Sequence, residues 1–162
     1  MLLDRGAKVD VTRNDGSTAL MAASATDHYH GVELLLKYGA SPNVQDAKGN
    51  TALMFACDGG YVDVVGLLMH YGASPDVQNE QGATALMRAS YHAHTQVVQL
   101  LIDSGANPEI ADHSGITALD ITVADATGKW ASTPEQQDAA RVLIDFYRYG
   151  TPEADAQPRG EL

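Results

Sequence analysis

The sequence predicts an all-α solenoid, in which antiparallel helix pairs stack on one another and are joined by hairpin-like loops. The first observation is a Gly-x-Thr-Ala-Leu segment that begins at Gly16, Gly49, Gly82 and Gly115, at a constant spacing of 33 residues. The second is that two apolar segments of helical periodicity, a Gly-Ala step and a polar turn follow each of the first three copies. A fixed period of roughly 20 to 50 residues is typical of repeat proteins, whose units bury their apolar faces by stacking.

Composition narrows the classes of partner. The chain has 162 residues, 44% of them hydrophobic, which is enough for a substantial core. Its formal net charge of −11 repels phosphate backbones and anionic membrane surfaces. We therefore expect neither nucleic acid nor membrane as a partner.

The beginning of the chain carries no recognisable targeting signal. Residues 1–5 lack the basic segment and long apolar run of a signal peptide, and no apolar run reaches membrane-spanning length. Cys57 is the only cysteine, so no intramolecular disulfide can form and a reducing compartment is tolerated. The expectation is a soluble, cytoplasmic protein.

The first residues align with the end of a repeat. Gly6-Ala7 precedes Gly39-Ala40 by one period, so residues 1–14 are interpreted as a truncated repeat that keeps only a helix end and its loop. Two explanations stand side by side: Met1 is an internal residue of a longer protein, or another chain covers the exposed edge, because terminal repeats normally need a polar outer face.

The repeat that spans 48–80 shows the internal pattern most clearly. Thr51 is a good N-cap for a short helix, and Gly59-Gly60 ends it. A second helix carries an apolar stripe between residues 64 and 68 and stops at Gly72, with Pro75 preventing its continuation. The polar residues 76–82 should then project as a tight hairpin-like finger.

The last repeat is irregular, because its second helix arrives 42 residues after that of the preceding copy. About nine extra residues therefore lie within an insertion at 125–138, which contains Trp130. Thr133 and Pro134 read as an N-cap and first helical residue, so the last helix begins near 134 and ends near Gly150. Residues 151–162 are polar and proline-containing, as in a flexible tail.

The repeated segments resemble the ankyrin repeat family, whose pattern carries Gly-x-Thr-Pro-Leu-His, Ala-Ala, Gly-His, Val-Val-x-Leu-Leu-Leu and Gly-Ala. The second repeat follows that order with Gly49-Asn50-Thr51-Ala52-Leu53-Met54, Ala56-Cys57, Gly60-Tyr61, Val64-Val65-Gly66-Leu67-Leu68-Met69 and Gly72-Ala73. The resemblance implies a repeat domain over 1–150, with full repeats at 15–47, 48–80 and 81–113 and the irregular one at 114–150.

One departure from the family pattern recurs. Its proline is replaced by Ala19, Ala52, Ala85 and Ala118, and its histidine by Met21, Met54, Met87 and Asp120. The family's histidine commonly hydrogen-bonds the preceding threonine. We therefore expect apolar packing to replace that network, with the three methionines forming a core ladder.

Possible metal or catalytic chemistry is outweighed by simpler interpretations. His28 and His30, and likewise His92 and His94, have the spacing of ligand pairs, but neither pair has the further ligands of a closed metal site. His28 and His94 align with the family's turn histidine, which favours a structural hydrogen-bonding role. Cys57 aligns with Ser24 and Ser90, so a small buried packing residue is favoured over a nucleophile.

No nucleophile elbow, phosphate-binding glycine loop or His-Glu-x-x-His motif is present, so the expectation is a non-enzyme without cofactor, metal or small-molecule substrate. Two interpretations of Trp130 are open: it packs as an anchor on the end of the stack, or it is an exposed binding residue. The packed interpretation is favoured, because burial removes a large apolar area of tryptophan from water.

The resemblance implies a protein–protein interaction module that binds a protein partner in a concave groove lined by the fingers and first helices. Candidate binding residues are positions in the repeats 48–80 and 81–113 that the framework does not require. They are Lys48, Asn50, Phe55, Asp58, Glu80, Gln81, Arg88, Tyr91, His92 and His113. An aromatic–arginine cluster of Phe55, Arg88, Tyr91 and His92 is typical of interface hot spots, although Phe55 and Tyr91 packing against neighbouring fingers is the alternative.

Two other functions stay open from the residues. The chain could be a regulatory or targeting appendage of a larger enzyme or effector whose other part precedes Met1. It could also act alone as a small bacterial-type inhibitor or toxin-associated subunit.

Overall fold

The computed structural model of the protein describes residues 8–123 and 133–149. Three predictions therefore fall on residues outside the described part: the helix end near the start of the truncated repeat, the placement of Trp130, and the tail at 151–162.

The described residues contain eight α-helices, arranged as four consecutive pairs. The first pair is α1 (Ala19–Ser24) with α2 (Tyr29–Lys37), and the second is α3 (Ala52–Gly59) with α4 (Val62–His70). The third is α5 (Ala85–Tyr91) with α6 (Thr95–Asp103), and the fourth is α7 (Ala118–Val123) with α8 (Pro134–Tyr149).

The pairs stack in two layers. First helices pack on one another in the order α1, α3, α5 and α7, and second helices in the order α2, α4, α6 and α8. Within the described residues the only β-type pairing outside the helices is an isolated bridge between Ala111 and Thr117. The predicted all-α solenoid of stacked antiparallel helix pairs is confirmed.

The core is continuous from pair to pair, as expected when each unit buries its apolar face on its neighbours. Small side chains on the first helices, such as Ala56 and Ala89, are fully buried and let neighbouring helices approach closely. Met21, Met54 and Met87 are also buried, in agreement with the predicted core ladder. None of the described helices has both the length and the apolar character that a membrane span requires.

The threonine of each repeated motif caps its first helix. The hydroxyl oxygens of Thr18, Thr51 and Thr84 accept hydrogen bonds from the backbone amides three residues later, at 3.2, 3.4 and 3.3 Å. Because a helix N-terminus leaves its first amides unpaired, each cap stabilises the helix that follows by about 1 kcal/mol.

Apolar packing does not replace the threonine network in every repeat, which corrects the sequence-based expectation. The amide of Thr18 donates to the Met21 sulfur at 3.4 Å. A thioether sulfur is a weak acceptor, so this bond is weaker than one to an oxygen. In the fourth pair, the Asp120 carboxylate accepts from both the amide and the hydroxyl of Thr117, at 2.9 and 2.7 Å. In the first and last of the described pairs, the side chain that replaces the family's histidine therefore still makes a polar contact with the threonine of the motif.

The fingers that connect the pairs are tied together by backbone hydrogen bonds. Amides of Ala47, Glu80 and His113 donate to the carbonyl oxygens of Asp15, Lys48 and Gln81, at 2.9, 2.9 and 3.1 Å. These bonds recur at the repeat period, so the fingers form one ladder along the edge of the stack.

The last helix begins at Pro134, as predicted, with the Thr133 hydroxyl accepting from the amide of Gln136 at 3.2 Å. Leu143 is fully buried against the stack, and the Tyr147 hydroxyl donates to the Pro108 carbonyl at 3.1 Å. α8 contacts both α6 and α7, so it completes the second layer at the C-terminal end of the described stack.

Candidate functional site

A cavity opens on the finger side of the stack, where α5 and α7 lie next to each other. Its volume is about 290 Å³. The residues that line it come from both helices, from the C-cap of α5 and from the two fingers that precede the helices: Ala83, Met87, Arg88, Tyr91, His92, Asp112 and Ile121. Three of these, Arg88, Tyr91 and His92, are candidate binding residues from the sequence.

Arg88 is fixed in place by an ion pair with the preceding repeat. Its Nε donates to Asp58 Oδ1 at 2.6 Å, and its Nη2 donates to Asp58 Oδ2. The hydrogen bond and charge of Asp58 raise the pKa of Arg88 above its ordinary value. Because two parallel bonds fix the plane of the guanidinium, the arginine is oriented before any partner arrives.

His92 and Tyr91 stand beside this ion pair. The Nε2 atom of His92 lies 3.8 Å from Asp58 Oδ1, and the Tyr91 ring meets the His92 ring edge-on with centroids 5.1 Å apart. Tyr91 is 65% exposed, which is high for a side chain of its size. This large aromatic surface faces solvent at the rim of the cavity, where burial by a partner would be favourable.

His94 has the structural role that its position in the repeat predicts. Its Nε2 lies 3.1 Å from the carbonyl oxygen of Asp58, and its ring stacks on that of His92 with centroids 5.7 Å apart. The same role stays a prediction for His28, whose side chain is exposed and, like that of His94, makes no capping bond to the helix that follows. No group of three or more potential metal ligands occurs among the described residues.

Four further candidates lie in the fingers, with their side chains exposed: Lys48, Glu80, Gln81 and His113. Two bonds of the finger ladder join the backbones of these residues, Glu80 to Lys48 and His113 to Gln81, so the four side chains lie along adjacent fingers. Asn50 joins two fingers, because its Nδ2 donates to Asp46 Oδ2 at 3.1 Å and its Oδ1 accepts from Asn79 at 3.0 Å.

Phe55 is placed differently from the rest of the predicted aromatic–arginine cluster. It is half-buried on α3, packs against the core and does not line the cavity. The structure therefore brings Arg88, Tyr91 and His92 together with Asp58, while a binding role of Phe55 stays a prediction.

Sequence reasoning missed Asp112 and assigned Met87 to the core alone, yet both line the cavity. The only available signal for Asp112 was its position one period after Asn79 and two after Asp46, which marks a turn residue rather than a binding residue. All three side chains accept amide hydrogen bonds within their own fingers.

Comparison with known proteins identifies the family. A family model described as ankyrin repeats in three copies matches residues 1–79 and 66–151, which together span most of the chain. No curated protein matches this chain. Ankyrin repeats generally serve as protein–protein interaction modules and are typically non-catalytic. The helix pairs, the finger ladder and this match agree, and the chain belongs to the ankyrin repeat family.

Proposed function

We propose that the chain is a non-catalytic interaction module, which binds a protein partner in the concave groove formed by the fingers and first helices. The observation that carries this proposal is the cavity between α5 and α7, which is lined by three of the candidates chosen from the sequence, Arg88, Tyr91 and His92. Tyrosine and arginine are enriched among residues that dominate interface energies, especially when they surround a pocket.

The geometry also favours binding without large rearrangement. Arg88 is held by Asp58, and the fingers are held to one another by their backbone ladder. Because these groups are ordered before association, little conformational entropy is lost when a partner binds. The exposed finger residues Lys48, Glu80, Gln81 and His113 extend the proposed surface beyond the cavity.

Affinity capture with the Tyr91→Ala variant tests the proposal. Proteins retained from an extract of the source cells by immobilised wild-type chain would be identified by mass spectrometry and compared with those retained by the variant. Tyr91 is largely exposed, so its truncation should leave the melting temperature nearly unchanged. We expect specific partners to be lost from the variant.

Tyr29→Ala is the matched control, because Tyr29 is also an exposed tyrosine and lies two helix pairs away from the cavity. It should retain the same partners as the wild type. Equal capture by wild type and Tyr91→Ala would refute a binding site centred on this cavity.

A further inference from the structure

We propose that the cavity between α5 and α7 receives the long cationic side chain of an arginine or lysine from a basic segment of the partner. This inference rests on the proposed function and adds the chemistry of the bound group. Three features carry it: apolar walls, an aspartate with one oxygen available, and an acidic surround.

The walls suit the aliphatic stem of such a side chain. Met87 forms a buried apolar surface, with half-buried Ala83 and Ile121 beside it. A volume of about 290 Å³ lies at the lower end of small-molecule sites, which begin near roughly 300 Å³. It is therefore suited to one long side chain rather than to a large cofactor. Arginine and lysine pack their methylene stems on apolar surface while their charged ends reach a polar group.

Asp112 supplies the polar group. The amides of Ser114 and Ile116 both donate to its Oδ1, at 2.8 and 3.0 Å, and among the described residues its Oδ2 accepts no hydrogen bond. A guanidinium or ammonium donor would complete the carboxylate with a charge-assisted bond. A purely apolar side chain would instead remove water from this carboxylate without replacing the lost hydrogen bonds, which is unfavourable.

The remaining charges near the cavity favour a cation. Arg88 also lines it, but its charge is compensated by Asp58. The exposed ring of Tyr91 at the rim offers a face for a cation–π contact. At longer range, the exposed Glu80 in the adjacent finger adds a negative charge, and the chain as a whole carries a formal charge of −11. This field attracts basic segments and repels acidic ones.

The test uses three synthetic peptides, each a Gly-Ser segment with two central residues that are arginine, citrulline or leucine. Citrulline keeps the shape of arginine and removes its charge. Binding would be followed by NMR through the methyl signals of Met87 and Ile121, which report directly on the cavity. We expect the arginine peptide to shift both signals and to bind about tenfold more tightly than the citrulline peptide, with the difference shrinking in high salt.

The Asp112→Asn variant then assigns the effect to one carboxylate. Asparagine keeps Oδ1 as an amide acceptor, as Asn79 already does at the same position of the preceding finger. We expect about fivefold or greater loss of affinity for the arginine peptide. Asp46→Asn is the matched control, since it removes a carboxylate from the same finger position two repeats away. It should bind as the wild type does.

Three results would overturn the inference: no methyl shift with any peptide, equal or tighter binding of the citrulline or leucine peptide, or undiminished arginine binding by Asp112→Asn. The proposed function is judged separately. Loss of partner capture by Tyr91→Ala together with any of these three results would keep the binding surface and reject the cationic side chain. Undiminished capture would reject the surface itself.

Discussion

Arg88 on α5 donates through two nitrogens to both carboxylate oxygens of Asp58 on α3, so one ion pair joins the first helices of adjacent repeats. Both side chains are partly exposed, at 39% and 23%, and solvent therefore weakens the interaction. We expect a double-mutant cycle with Asp58→Ala and Arg88→Ala to give a coupling of about 1 kcal/mol in the free energy of unfolding. Urea denaturation measures it, and additive single effects would show that the pair does not join the repeats energetically.

Glycine in the fingers is required for two separable reasons. Gly82 and Gly115 both have φ of +80°, but a Cβ on Gly82 would lie 2.7 Å from the backbone nitrogen of His113, while one on Gly115 meets nothing described within 4 Å. Gly115→Ala should therefore cost about 1 kcal/mol of stability from backbone strain alone. Gly82→Ala should cost about 1 to 3 kcal/mol more, because the next finger must move. Equal losses in denaturation would show that finger contact contributes nothing.

In the first three helix pairs, the turn between the helices contains a left-handed residue at a constant position. It is Gly60 in the second pair, with φ of 70°, and Ala93 in the third, with φ of 56°. Alanine is strained there, so we expect Ala93→Gly to raise the free energy of unfolding by about 0.5 to 1 kcal/mol. The reverse change, Gly60→Ala, should lower it by more, because its Cβ would meet the His94 ring at 2.7 Å. A lower melting temperature for Ala93→Gly would contradict this account.

In the first three pairs, a small buried residue lies near the end of the first helix, and it is serine in two of them and cysteine in one. Among the residues that the structure describes, the buried hydroxyls of Ser24 and Ser90 have no hydrogen-bond partner, whereas the fully buried Cys57 needs none. Burial raises the pKa of the Cys57 thiol, so it stays protonated and behaves as a small apolar group. We expect Ser90→Cys to stabilise the chain by about 1 kcal/mol and Cys57→Ser to destabilise it by a similar amount. Chemical denaturation under reducing conditions measures both, and effects of the opposite sign would refute the assignment.

The Asp120 carboxylate makes the cap of α7 dependent on pH. The side-chain and backbone hydrogen bonds from Thr117 hold the pKa of Asp120 below its ordinary value of 3.8. A depressed folded-state pKa contributes stability above the unfolded value, and that contribution is lost as pH falls through the folded value. We expect Asp120→Ala to lower stability by about 1 kcal/mol at pH 7, with the difference from wild type shrinking below pH 3.8. A difference that does not change between pH 7 and pH 3 would exclude the charge as its source.

The sequence by itself determined the repeat period, the order of the helices and the threonine caps. These features follow from interactions between residues a few positions apart: Thr51 reaches the amide of Met54, and Gly60 ends α3. Because the same local pattern recurs every 33 residues, the stacking of units also followed from the sequence. For the site, the same logic selected Arg88, Tyr91 and His92 as residues that the framework does not require.

Only the tertiary structure decided which of those residues meet. Asp58 and Arg88 are 30 residues apart, and their pairing depends on the side-chain directions of two helices from different repeats. Periodicity likewise marks Asp112 as a turn residue equivalent to Asn79, yet it lines a cavity, while the more conspicuous Phe55 turns toward the core. The physical reason is that a repeat pattern fixes what each unit shares with the others. A binding site is formed by the side chains that differ, across the gap between neighbouring units.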